Sequence, residues 1–395
     1  MPDLEELREL LNSAKPIGKN LPEAEKMISD IDNYIPGCYD KSRKIFITEE
    51  KYPLGINFGQ REIQNHFLPD VIKKYACLRA KTLENMLFID TETTGLTGGT
   101  GTYAFLIGIG FIREDDIIIR QYFLTRLSGE AELVYLIRKE MSEYDGVVSF
   151  NGKSYDIPLL RNRFVLNGVN YDFSELEHLD LLHLSRRFWK KELFDCSLNN
   201  LERKILGFVR DSDLDIPGEQ IPHVYGDYLK THNARMISRV FYHNRNDILA
   251  MFALIDKIAE VIEKHGKNET FGLEHIVVSR LYEDVKQFKQ AIRGYRSYLE
   301  TNDDNVYNKR LSMLYKKMGK ISKCIKIWKT AAENHQIYAM EELAKIEEHR
   351  NHDFSKALQW TEKALELLKN ATYVDPKRLE RFKHRSDRLN KKLKE

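Results

Sequence analysis

The sequence predicts an α/β domain, a mixed sheet flanked by helices, followed by an all-α module of helical repeats. Three observations predict it. Apolar runs of strand length recur through the middle of the chain and give way to helical patterns. Past residue 270 the pattern becomes helical and repeats every 33 residues, as at Phe288, Ile321 and Phe354. With 395 residues and 42% hydrophobic content, there is material for two or more domains with buried cores.

The elements follow in order. Residues 1–80 read as an N-terminal extension with a helix and an irregular or strand segment. It opens with Met1-Pro2-Asp3-Leu4-Glu5-Glu6-Leu7, an acidic amphipathic start unlike that of a signal peptide. Residues 81–265 carry the α/β domain. Its first strand, Met86-Leu87-Phe88-Ile89, runs into Asp90 and is followed by strands over 104–111 and 117–123. A helix over 130–141 comes next, then a strand over 146–150 and a helix after Asp156, where Pro158 is tolerated in the first turn. The polar stretch 209–228, with Pro217, Gly218 and Pro222, reads as a long excursion. Tyr242 to Leu254 is helical in pattern. Residues 268–370 are the repeats, in which Ala291, Cys324 and Ala357 occupy one equivalent position and allow helices to approach closely. Aromatics recur as Tyr282 with Tyr315 and Tyr295 with Trp328; Glu348 and Thr361 break that pattern in the third repeat. Residues 371–395 read as a basic capping helix, either a solvated end or a surface for nucleic acid.

The chemistry begins at Asp90. In a strand, residues i and i+2 face the same way, so Asp90 and Glu92 project side by side. Two carboxylates so close cannot both ionise cheaply, and they call for a hard cation. A strand end with two solvated acids is the plainer alternative. A second acid, Asp156, follows the Asn151-Gly152 turn, where a helix-capping role is equally ordinary. A third setting is the helix bearing His243 and Asp247, which at i, i+4 share one face. Gly98-Gly99-Thr100-Gly101 lacks the G-K-[ST] of a phosphate-binding loop and reads as a turn between strands.

Taken together, Asp90, Glu92, Asp156 and Asp247 resemble the acid quartet of DEDD exonucleases in the ribonuclease H-like superfamily. The stretches from Gly95 to Gly110, from Asp180 to Arg187 and from Ser197 to Glu202, and weakly Tyr52-Pro53-Leu54-Gly55 with Gly59, make the chain similar to the bacterial YprB-like group. In that group such a domain precedes tetratricopeptide repeats. The resemblance implies a ribonuclease H-like fold and a metal-dependent 3′–5′ exonuclease acting on single-stranded nucleic acid ends. It implies two Mg²⁺ or Mn²⁺ ions held by the four acids, with Asp90 bridging them. Thr93, Leu96, Asn151 and Tyr155 are the implied substrate contacts, a core role for Leu96 being the alternative. Such enzymes place a Tyr four, or a His five, residues before the last acid. Here the occupants are exchanged: His243 stands four before Asp247 and Tyr242 five. His243 has the better chemistry for a base near neutral pH and is the expected one.

Composition narrows the partners. The formal net charge is only +2, so nucleic-acid contacts come from local patches. The apolar run around Tyr103 is too short to span a bilayer, which argues against a membrane partner. Cys38, Cys77, Cys196 and Cys324 lack metal-site spacing and fit a reducing cytoplasm. The repeats offer a surface for a protein partner. The competing reading is a catalytically weak, nuclease-like adaptor that acts through its repeats. Nothing in the sequence separates DNA from RNA as substrate.

Overall fold

Among the described residues, nine extended segments and a set of covering helices build the α/β part. The strands are β1 (Cys38–Tyr39), β2 (Ile45–Pro53), β3 (Asn57–Phe58), β4 (Arg61–Glu62), β5 (Met86–Thr93), β6 (Ala104–Arg113), β7 (Asp116–Leu124), β8 (Gly146–Ser149) and β9 (Glu177–Asp180). The helices are α1 (Asp70–Ala76), α2 (Glu130–Met141), α3 (Asp156–Leu166), α4 (Leu181–Trp189), α5 (Leu198–Leu201), α6 (Ile221–Thr231) and α7 (Ile237–Lys267). This computed structural model describes residues 31–41, 44–64, 67–95, 101–267, 273–371 and 375–395. The helix expected at residues 1–7 lies outside them, as do Leu96, Gly98, Gly99 and Thr100. Contacts divide the chain into two units, Met1–Glu260 and Val261–Glu395.

Among the described residues, the main sheet has seven strands in the order β1-β2-β7-β6-β5-β8-β9. From β1 to β5 all neighbours are antiparallel; β5–β8 and β8–β9 are parallel. The sheet is therefore mixed, and β5 lies where the two halves meet. The first four residues of β5 and nine of the ten in β6 are buried, as expected for strands covered on both faces. Strand β2 pairs with β7 along all nine of its residues. The N-terminal stretch thus contributes to the same sheet.

Close packing on one face is set by two glycines of β6. A Cβ at Gly108 would fall 2.1 Å from Asn244 Oδ1, and one at Gly110 would fall 2.5 Å from Ile248 Cγ2. Helix α7 can lie this near the sheet only because both positions lack a side chain. Phe252 of α7 stacks on Phe88 with ring centroids 3.6 Å apart. On the other face, Tyr225 of α6 stacks on Phe105 at 3.9 Å and donates to the Leu124 carbonyl at 2.9 Å. The excursion expected over 209–228 is thus helical in its second part. Pro222 stands in the first turn of α6, where its missing N–H costs nothing.

The second unit is a series of packed helices: α8 (Leu273–Asp284), α9 (Phe288–Thr301), α10 (Asn305–Lys317), α11 (Ile321–Glu333), α12 (Ile337–His349), α13 (Phe354–Lys369) and α14 (Pro376–Lys392). The 33-residue period is visible in the backbone. Phe288, Ile321 and Phe354 each begin a helix. Lys286, Gly319 and His352, two residues earlier in each case, adopt left-handed φ of 61°, 71° and 56°. Only one of the three is glycine, so the turn persists where its usual residue is lost. Ala291, Cys324 and Ala357 are fully buried. Thr361, in the place of an aromatic, is also buried and donates to the Ala357 carbonyl at 2.8 Å.

Glu348 explains the basic final helix. Its buried carboxylate meets Arg388 at 2.8 Å, Lys392 at 3.3 Å and Arg385 at 3.7 Å, all from α14. Part of the positive charge on α14 therefore fixes the helix in place. Glu348→Ala is expected to lower stability by about 3 kcal/mol, the lower end for breaking a buried pair, because Arg388 and Lys392 stay partly solvated. A thermal melt that does not move would refute that role. Among the described residues, no helix is long and apolar enough to cross a membrane.

Candidate functional site

Phe88, Asp90 and Glu92 alternate along β5 to one face, the face that α7 covers. Phe88 meets Phe252, and Asp90 meets Asn244, two turns earlier on the same helix. The pairing of β5 with β6 shifts between Glu92 and Thr93, so the regular ladder ends where the acids stand. Asp156 begins α3, one residue after its cap Tyr155. Asp247 and His243 come from α7. The structure brings these residues together: Glu92, Asp156 and Asp247 all act electrostatically on Asp90. Ligand atoms of Glu92, His243 and Asp247 lie within 4.8 Å of one another, a set that could hold a metal ion.

The electrostatics are those of crowded negative charge, opposed only in part by His243 and Arg210. Burial, then repulsion by Asp247, Glu92 and Asp156, raises the Asp90 pKa well above the usual carboxylate range. Burial raises Glu92 to about 8, with Asp247 and Asp156 adding and His243 opposing. Burial raises Asp156 to about 6, against the hydrogen bonds it accepts from Thr91. For His243, burial pulls the pKa down, but Asp247, the Asp215 hydrogen bond and Glu92 outweigh it and raise it to about 9. A divalent cation would relieve this repulsion, and hard carboxylate oxygens are its natural ligands. The donor set therefore fits Mg²⁺ or Mn²⁺.

Three of the four acids, Asp90, Asp156 and Asp247, are held by neighbours that the sequence reading gave no role. Asn244 Nδ2 donates to Asp90 Oδ2 at 2.7 Å, and Asn244 Oδ1 accepts from Gln121 Nε2 at 2.8 Å. Gln121 also donates to the Phe241 carbonyl at 3.0 Å. Buried amides thus tie the strand acid to the helix. Thr91 donates twice to Asp156 Oδ1, from N–H at 3.1 Å and from Oγ1 at 2.5 Å. The loop before Asp156 is shaped by Asp180, which accepts from the N–H groups of Asn151 at 2.9 Å and Lys153 at 3.1 Å while capping α4. Arg210 reaches both Asp247 and the buried Glu202. The glycines of β6 were the available signal for Asn244, since Gly-x-Gly in an apolar strand marks a close neighbour. Arg210 and Asp215 carried no local signal.

The remaining expected contacts lie close to the acids in sequence. Thr93 is half-buried, and its Oγ1 donates to the Gly95 carbonyl at 2.8 Å. Asn151 takes a left-handed φ of 65°. Tyr155 is exposed beside Asp156. Leu96 lies outside the described residues. Of the exchanged pair, His243 stands with the acids, its Nε2 3.7 Å from Asp247 Oδ2. Tyr242 points elsewhere: its hydroxyl accepts from the Asp211 N–H at 3.3 Å, and Arg245 packs on its ring.

Comparison with known proteins bears on the family of the domain. Residues 87–259 match the family described as the RNase_H superfamily, a span from β5 into α7 that includes all four acids. The chain is 31% identical over 319 residues to "Uncharacterized protein YprB" of Bacillus subtilis (strain 168), covering 78% of this chain and 75% of that protein. A mixed sheet with an acidic cluster on the strand where its antiparallel and parallel halves meet, a matching superfamily and this extent of identity lead to one assignment: the chain belongs to the YprB family, with a ribonuclease H-superfamily domain.

Proposed function

We propose that the chain hydrolyses phosphodiester bonds in nucleic acid as a DEDD-type, metal-dependent 3′–5′ exonuclease on single-stranded ends. The observation that supports it most is the convergence of Asp90, Glu92, Asp156 and Asp247, with the carboxyl pKa values of Asp90, Glu92 and Asp156 raised by burial and by repulsion from neighbouring carboxylates. In this reading the four acids hold two Mg²⁺ or Mn²⁺ ions. When bound, such ions activate water and stabilise the charge of an in-line displacement. Asn244 and Thr91 keep Asp90 and Asp156 oriented. Arg210 holds Asp247 from the side. Bound cations would oppose the carboxylates that raise His243 to about 9 in the metal-free protein, and the neutral ring would then take the proton of the attacking water through Nε2. Thr93, Leu96, Asn151 and Tyr155 border the path of the strand. The repeats recruit a partner, and a boundary near residue 265 separates them from the hydrolytic part.

The decisive assay uses the full chain with 5′-labelled single-stranded DNA and RNA, with Mn²⁺ and with EDTA. Progressive shortening from the 3′ end, in Mn²⁺ only, is the expected result. Equal activity in EDTA would overturn the metal mechanism. No hydrolysis of either substrate would favour the adaptor reading, and a preference between them would name the nucleic acid.

A further inference from the structure

The segment that follows α5 sends two charged side chains into the site. Arg210 and Asp215 both approach Nδ1 of His243, at 3.1 Å from Nη1 and 2.9 Å from Oδ1. A guanidinium only donates and a carboxylate only accepts. Nδ1 has one in-plane position, either a lone pair or an N–H, so it can satisfy only one of them. Arg210 is already committed: its Nη2 and Nε donate to the two oxygens of Glu202 at 2.5 and 2.8 Å, and it also reaches Asp247. Its Nη1, which carries two hydrogens, also lies 3.6 Å from Asp215 Oδ1 and so faces a carboxylate without needing the imidazole. Asp215 is largely buried and would lose its imidazole partner. The conflict resolves with the hydrogen on Nδ1.

We propose that Asp215 is the positioning residue for His243, accepting from Nδ1–H and so directing Nε2 to the acids; this rests on the reading of the site as a hydrolytic centre. A carboxylate behind an imidazole fixes both the ring plane and the nitrogen left to face the reaction. The backbone supports the assignment. The Asp215 N–H donates to the Asp211 carbonyl at 2.8 Å, closing a turn, and the Asp211 N–H donates to the Tyr242 hydroxyl at 3.3 Å. Tyr242 thereby anchors the turn that carries Asp215. The exchanged Tyr-His pair works as one assembly: the histidine faces the acids, and the tyrosine holds the residue that aims it.

The test uses the full chain and its Asp215→Asn and Asp215→Ala variants. With Mn²⁺ and a short single-stranded oligonucleotide, kcat should fall about 10–100-fold, with KM within about twofold. Mn²⁺ affinity should not change. In ¹⁵N-labelled protein, the wild type should show a low-field proton on His243 Nδ1, assigned by its loss in His243→Asn. That signal should disappear in Asp215→Ala. Wild-type kcat in both variants, a fall in Mn²⁺ affinity, or an Nδ1 without a proton in the wild type would each overturn the proposal. If Asp215→Ala does not fold, the near-isosteric Asn variant decides. Should the wild type hydrolyse no nucleic acid, the functional reading fails, and the Nδ1 signal still decides how the ring is held.

Discussion

Asp90→Asn is expected to abolish hydrolysis and to make the metal-free protein more stable. The first effect is large. Losing the acid at the centre of the cluster removes several kcal/mol of charge stabilisation, and about 4 kcal/mol is roughly 10³-fold in rate. The second effect follows from the raised pKa values. Asp90 lies well above the carboxylate range, Glu92 at about 8 and Asp156 at about 6. Between pH 4 and 8 the folded protein therefore binds more protons than the unfolded chain. Its stability is fully present below the unfolded carboxyl values and falls as pH rises through 6 to 8. His243, raised to about 9, acts in the same direction at higher pH. The metal-free melting temperature should thus decline from pH 5 to pH 8, and Mn²⁺ should restore it, since binding to the folded form alone stabilises it. In Asp90→Asn that decline should flatten, with a gain of about 2–4 °C at pH 8 for each kcal/mol of repulsion removed. Wild-type turnover in the variant would sink the acid quartet. A melting temperature equally steep in pH would sink the electrostatic account alone.

His243→Ala is expected to lower kcat by about 10²–10⁴-fold, the usual contribution of a general base. Mn²⁺ binding should largely survive, because the carboxylates remain. Tyr242→Phe should cost less than tenfold, since it removes one bond to a backbone N–H. Single-turnover rates and Mn²⁺ titrations on both variants separate the possibilities. Collapse of metal affinity in His243→Ala would make the imidazole a ligand, which its place beside Glu92 and Asp247 permits. A Tyr242→Phe variant worse than His243→Ala would reverse the roles.

The acids were legible because each sits in a local pattern. Asp90 and Glu92 follow the two-residue period of a strand, Asp156 opens a helix, and His243 and Asp247 share a helix face. What holds them was not legible. Asn244 reads as an ordinary polar residue on a helix; its meaning depends on Gly108, 136 positions earlier, leaving room for it. Arg210 and Asp215 lie in an irregular segment, where charge has no period to betray it. Helix α6 was hidden because Pro222 was read as a breaker, although proline is welcome in a first turn. Strand β2 alternates well enough to be a strand, but only its pairing with β7 shows which sheet it joins. In the second unit the 33-residue spacing fixed helix starts and small buried positions. The buried Glu348 reveals its purpose only with the cations of α14 around it.

The acids are far apart along the chain, and that has a consequence for synthesis. Asp90 and Glu92 leave the ribosome first, Asp156 later, and Asn244 and Asp247 last, on a helix that must then lie down on Gly108 and Gly110. A nascent chain that has made the strands but not α7 has no partner for Asp90 and no fourth acid. If the proposed hydrolysis is right, such a chain would be inert while it is being assembled on RNA. On the proposed reading, competence would wait for the docking of α7, because Asn244, His243 and Asp247 all arrive with that helix.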